Sequence, residues 1–187
     1  MATNIEICTN ALLLLGDSAI ASLTENTDRA RRCANIYPQA KRDVLRAHPW
    51  NCLVRRVQLA PLAQAPAFGW NQQFAVPGDF LRLLDVSVNR CQVDFEYEDR
   101  KILANATVLN VRYLADLPES AWDANLTDIM IKRMVKDLAY PITKSTSLAQ
   151  LKAQEFEVAW KRAKSVDGQE NPPEEFSSNS PFLEARL

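Results

Sequence analysis

The sequence predicts an α+β fold: mainly a helical bundle of about four helices, with a small antiparallel β-sheet inserted between helices 2 and 3 and an extended C-terminal arm. Three observations carry that reading. Apolar residues recur at helical spacing toward both ends of the chain, the middle shows partial period-two patterning, and the stretch 169–187 shows neither. With 187 residues, 47% hydrophobic and 24% charged, the chain is long enough for one domain whose core needs no disulfide or metal. We place that domain at 1–168 and the arm at 169–187.

The first helix is expected over 3–15. Thr3-x-x-Glu6 has capping-box form, Ile5, Cys8, Leu12 and Leu15 keep helical spacing, and Gly16 offers a left-handed stop. The second is expected over 26–47, with a narrow seam at Ala30, Cys33, Tyr37, Ala40, Val44 and Ala47. Pro38 lies inside it and predicts a kink or break near Tyr37, and Pro49 ends the run. A β-rich insertion then covers 52–114. Its candidate strands are Cys52–Leu59, Phe74–Val76, Leu81–Val88, Val93–Tyr97, Lys101–Leu103 and Val108–Tyr113, with Glu98-Asp99-Arg100 as a hairpin turn.

Helix returns over 124–142, introduced by Ser120-x-x-Asp123 and closed by Pro141; Met130, Met134 and Leu138 lead its apolar stripe. A fourth helix over 147–167 opens at Ser147-x-x-Gln150, buries Ala149, Ala153, Phe156, Trp160 and Ala163, and stops at Gly168. The arm carries four glutamates against one arginine, three prolines and three serines, so it lacks the apolar surface to order by itself. Phe176, Phe182 and Leu183 are its candidate anchors on a partner.

Scarcity excludes whole function classes. The four glycines, at 16, 69, 78 and 168, are too dispersed for a dinucleotide fingerprint or a P-loop. One histidine, His48, rules out multi-histidine metal sites and zinc-protease motifs. The four cysteines form no C-x-x-C pair, and the opening Met-Ala-Thr-Asn-Ile-Glu has no secretory pattern. We therefore expect synthesis in a reducing cytoplasm, cysteines acting as small core residues, and no membrane anchor. A net charge of −1 argues against a dedicated polyanion binder. We expect no enzymatic activity, no catalytic residue, no bound metal and no cofactor.

Two constellations remain. His48 follows Asp43 by five positions, but no nucleophile motif accompanies it. His48-Pro49-Trp50 reads better as a packed structural corner between the second helix and the sheet. Asp94 and Glu96 would share a strand face, read as solvated. The segment 29–56 holds eight basic residues, among them Arg29, Arg31, Arg32, Arg42 and Arg46, against the single acid Asp43. That is either a solvated helix face or an interface for an acidic partner.

Several segments, taken in order, resemble one known family. Asn10–Gly16 followed by Ile20–Leu23, Tyr37 with Arg42-Asp43-x-Leu45, and His48-Pro49-Trp50-Asn51 come first. Phe74-x-x-Pro77-x-Asp79-x-Leu81-Arg82, Ile102-Leu103, Leu138–Thr143 and Pro172-Pro173 complete the series. Together they resemble the tail tubular protein A family, the head-to-tail adaptors of short-tailed bacteriophages, over about residues 4–176. The resemblance implies a structural virion protein at the head-tail junction: a homo-oligomeric, dodecameric ring with the portal protein above and the tail nozzle protein below. Double-stranded DNA would pass through it without sequence-specific contact during genome ejection. The family brings no catalytic residue. The alternative from the residues alone is a DNA-binding regulatory protein using the arginine-rich second helix.

Overall fold

The structure, a computed structural model, describes residues 2–89 and 91–171. Helix α1 spans Asn4–Leu14. Its start is the expected capping box: Glu6 N–H donates to Thr3 Oγ1 at 3.2 Å, and Thr3 N–H donates to Glu6 Oε2 at 2.8 Å. Its end is a Schellman motif, with Gly16 N–H on the Leu13 carbonyl and Asp17 N–H on that of Leu12, both at 3.0 Å. Gly16 sits at φ 79°, where a side chain would be strained.

Helix α2 spans Asp28–Ala47 from an N-cap at Thr27 and runs unbroken through Pro38. The expected break does not occur. Pro38 is exposed, so the Ala34 carbonyl it leaves without a helical donor is on the outer side of a helix whose opposite face is pinned. That face buries Ala30, Cys33, Tyr37, Ala40, Val44 and Leu45; Leu45, not the exposed Ala47, completes the seam. Alanines and cysteines there, and Cys8 and Ala11 on α1, are small enough for helices to approach closely.

A 3₁₀ turn at Asn51–Leu53 leads into seven strands: β1 (Val54–Leu59), β2 (Gln72–Ala75), β3 (Phe80–Val88), β4 (Cys91–Gln92), β5 (Phe95–Glu98), β6 (Lys101–Ala104) and β7 (Leu109–Ala115). They form two antiparallel sheets, not the single one expected: β1-β7-β3-β4 and β2-β6-β5. The division falls at Pro77-Gly78. There the chain turns, with Phe80 N–H on the Pro77 carbonyl at 3.2 Å, and β3 leaves β2 to pair with β7. The predicted hairpin is tight: Asp99 (φ 44°) and Arg100 (φ 56°) are both left-handed between the paired Glu98 and Lys101. Two positive φ values give the turn the twist that antiparallel strands need. Asp94 precedes β5, so the proposed Asp94/Glu96 face is not a strand feature.

After a 3₁₀ turn at Glu119–Ala121, α3 spans Ala124–Thr143 and α4 spans Thr146–Glu170. Both caps differ from expectation. Asp123 itself caps α3, accepting from Leu126 N–H at 2.6 Å, and Ser145 caps α4, accepting from Leu148 N–H at 3.2 Å. Helix α4 also passes through Gly168, which is helical rather than a stop, and runs to Glu170, beyond the expected 147–167. Residues 172–187, with the candidate anchors Phe176, Phe182 and Leu183, lie outside the described residues.

One contiguous core joins α1, α2, α3 and α4 to the inner faces of β7, β3 and β6. Strand β7 is central: Leu109, Val111 and Tyr113 turn inward while Asn110 and Arg112 turn outward. Among the described residues no helix is long and apolar enough to cross a membrane.

Two glycines predict opposite stability changes. A Cβ at either Gly16 or Gly168 meets nothing within 4 Å, so backbone conformation decides. Gly16→Ala is expected to cost about 1 kcal/mol, and Gly168→Ala to stabilise by about 0.5 kcal/mol. Urea denaturation followed by circular dichroism measures both.

Candidate functional site

The structure gathers its polar side chains where α2 ends and α4 ends. Pro49 turns the chain after α2 and sends Trp50 into the core, fully buried, where its Nε1 donates to the Val44 carbonyl at 3.0 Å. The His48 ring meets Trp50 edge-on at 4.7 Å, and Trp50 meets Trp160 of α4 edge-on at 5.5 Å. These are the favoured orientations for aromatic pairs. Phe156 stacks on Trp160 at 5.8 Å.

Asp167 locks this corner. It is only 3% exposed, and its Oδ2 lies 2.9 Å from His48 Nε2, while its Oδ1 accepts from Asn51 N–H at 3.0 Å. The Asn51 side-chain amide returns a bond to the Asp167 carbonyl. A carboxylate accepts only, so the His48 nitrogen facing it carries the proton. His48 therefore pairs with Asp167, not with Asp43. Asp43 instead accepts from Gln39 Nε2 at 2.7 Å and Arg133 Nη2 at 3.1 Å, joining α2 to α3. Asp167 escaped the sequence reading although a signal existed: it extends the stripe Phe156, Trp160, Ala163 by one further turn. An acid on an apolar stripe asks for a buried donor.

Asp123, Asp167 and Glu170 each offer an oxygen within 4.8 Å of the others. Two of them are engaged already, Asp123 as the α3 cap and Asp167 as the corner lock. A second polar knot joins α2 to the turn before α3. Tyr37 Oη donates to Glu119 Oε1 at 2.9 Å, and Lys41 Nζ lies 3.3 Å from the same carboxylate and 3.2 Å from Asp116. Burial pushes the Tyr37 hydroxyl well up, and Glu119 beside it adds to that, so Tyr37 remains a donor. Burial opposes ionisation of Glu119, but a backbone N–H, the Tyr37 hydroxyl and Lys41 together outweigh it and hold the carboxyl below its usual value.

The cysteines divide by position. Cys8 and Cys33 are fully buried together; the hydrogen bond between their thiols, with burial second, pushes Cys8 well up. Burial raises Cys52 to about 11, and Cys91 is exposed.

The arginine-rich segment spans α2 and β1. Arg29 pairs with Asp17 at 3.2 Å, Arg31 with Asp28 at 2.8 Å, and Arg32 Nη1 donates to the Pro141 carbonyl at 3.0 Å. Arg42 and Arg46 are exposed on α2, while Arg55 and Arg56 lie on β1.

The outer face of the four-stranded sheet forms a polar trough of about 900 Å³. Register aligns Arg56, Arg112 and Asp85 in one row across β1, β7 and β3, and Gln58, Asn110 and Ser87 in the next. A cavity of about 670 Å³ adjoins it at Arg56 and Arg112 and reaches His48, Asp167 and Asn171. Elsewhere Phe68, 88% exposed, stands on the loop between β1 and β2, with Gly69 at φ 83° beside it. The loop is held by Trp70 Nε1 on Glu96 at 2.9 Å and Gln73 Nε2 on the Gln64 carbonyl at 2.7 Å. Leu13 and Leu14 are exposed at the end of α1.

No model of a known protein family matches this chain, and no curated protein matches it either.

Removing the corner lock is expected to be costly. Asp167→Ala strands the Asn51 N–H and the His48 proton, and a loss of about 3 kcal/mol in urea denaturation is expected. For Glu119, the folded value lies below the unfolded one. Its contribution is therefore fully present above the ordinary carboxylate value and is lost as pH falls through the lowered folded value. Glu119→Gln should flatten that acid limb when stability is followed against pH.

Proposed function

We propose that this chain is a structural adaptor of the kind its sequence resembles, a virion protein whose copies form a ring joining a portal to a tail nozzle at the head-tail junction. The observation that carries the reading is the placement of its exposed apolar side chains. Phe68 stands on the β1–β2 loop, Leu13 and Leu14 at the end of α1, Tyr140 on α3 and Val158 on α4, so a closely stitched domain offers contact residues on several different elements. A ring needs that asymmetry, because a heterologous interface joins two unlike surfaces of the same subunit.

The motifs behind the resemblance support a structural role as well. Trp50 is core, while His48 and Asn51 are bound to Asp167. Tyr37 is tied to Glu119, and the Pro141 carbonyl accepts from Arg32. The near-balance of charge suits a channel through which DNA must slide, since a lumen binding many phosphates would hold the genome back. Phe176, Phe182 and Leu183 in the segment 172–187 would anchor on a neighbouring copy or on the portal.

The test is light scattering of the purified chain mixed with its cognate portal ring, against each component alone. A stoichiometric shift to the mass of portal plus ring is expected; no shift with the portal intact would sink the reading. Phe68→Ser should weaken that assembly while changing the stability of the free chain by no more than about 0.5 kcal/mol. Unaltered assembly would remove the loop from the interface. Truncation after Asn171 should likewise weaken assembly, read in the same mixture.

A further inference from the structure

The trough on the four-stranded sheet has a charge arrangement that folding alone does not explain. Arg56 and Arg112 are direct cross-strand partners on its floor. Like charges placed opposite one another in a sheet repel. Nor is the repulsion relieved from within: among the described residues neither guanidinium enters an ion pair, although Asp85 lies next in the row. The Arg112 Nε–H is buried and has no acceptor. A buried donor without a partner carries a desolvation cost that an incoming acceptor would remove.

The neighbouring row is made of Gln58, Asn110 and Ser87, with Gln58 Nε2 already donating to Asn110 Oδ1 at 3.2 Å. These side chains can meet the backbone of an extended segment. The floor thus carries two guanidiniums beside one carboxylate on one row and neutral polar side chains on the next, a net positive surface that suits a peptide carrying carboxylates.

Such a peptide begins at the rim. Asn171, where α4 has just ended, lines the cavity that opens into the trough at Arg56 and Arg112. Beyond it the sequence runs Pro172-Pro173-Glu174-Glu175-Phe176, with Glu174 and Glu175 three and four residues further on. An extended chain covers about 10–14 Å in that distance, the scale of a few strand spacings. Because the segment is tethered, its effective concentration at the trough is high and weak individual contacts suffice.

We propose that the trough is the docking site of this chain's own segment 172–187, with the carboxylates of Glu174 and Glu175 accepting from Arg56 and Arg112. Docking separates the two guanidinium charges with an anion. It also keeps Phe176, Phe182 and Leu183 on the domain until a partner competes for them. The proposal concerns the free chain and stands apart from the adaptor reading, since its test contains no portal.

The test is limited proteolysis of the full chain with chymotrypsin, following cleavage after Phe176 at low salt. Wild type should be cleaved slowly, and Arg56→Glu about tenfold faster, as loss of a charge-assisted hydrogen bond implies. Glu174→Lys with Glu175→Lys should behave the same way, and combining these with Arg56→Glu should restore protection. Arg56 is exposed, so Arg56→Glu leaves the fold intact; circular dichroism verifies that, and Arg112→Gln serves as the second variant. Equal cleavage rates in all of them would overturn the proposal. Protection that grows with protein concentration would also overturn it, because the occupant would then be a second copy's segment.

Discussion

The buried carboxylate of Asp167 is the constraint on which the rest of the arrangement depends. It lies on the last turns of α4, yet its partners belong to the segment that leaves α2 and enters β1. The helical layer and the four-stranded sheet meet at this point. Taking a carboxylate out of water costs several kcal/mol, and the cost is offset only when its oxygens are well bonded. His48 and the Asn51 N–H satisfy Asp167 in one relative placement of α2, α4 and β1. The Trp50 and Trp160 rings then pack against one another in the space this placement defines. Apolar burial alone would tolerate sliding; the directional hydrogen bonds of Asp167 do not.

A similar economy governs the helices. Cys8 and Ala11 on α1 and Ala30 and Cys33 on α2 are fully buried, and side chains this small permit close helix approach. Met130, Met134 and Leu138 of α3 are fully buried where α3 packs on α1, α2 and α4. Polar knots sit at the edges of this packing. Glu119 with Tyr37 and Lys41 ties α2 to the turn before α3, and Arg133 with Asp43 and Asp137 ties α2 to α3 itself. A domain stitched at several separated points resists internal motion and passes force between its surfaces, which agrees with the adaptor role we propose.

Charge in this protein is organised by fold rather than by sequence neighbourhood. Arg29, Arg31 and Arg32 of the basic run on α2 are taken up by Asp17, Asp28 and a backbone carbonyl, whereas Arg56 and Arg112, fifty-six positions apart in the chain, are brought face to face by strand register. Any electrostatic role for the sheet face therefore belongs to β1 and β7, while α2 keeps Arg42 and Arg46 exposed.

Local chemistry was legible wherever neighbours in sequence decide it. The Thr3/Glu6 cap, the Gly16 stop, the Glu98–Lys101 hairpin and the His48-Pro49-Trp50 corner follow from residues within a few positions of one another. The α2 and α3 stripes were readable from period alone, apart from the exchange of Ala47 for Leu45. What sequence by itself determined is thus the class of fold, the helices and the bends between them. Tertiary structure alone decided the rest: that Pro38 leaves α2 unbroken, that Gly168 is helical, that the strands divide into two sheets, and that Asp167 rather than Asp43 meets His48. The physical reason is common to all four. Each outcome depends on what lies across space from a residue, in burial, register or a distant donor, and no local propensity encodes a partner more than a hundred residues away.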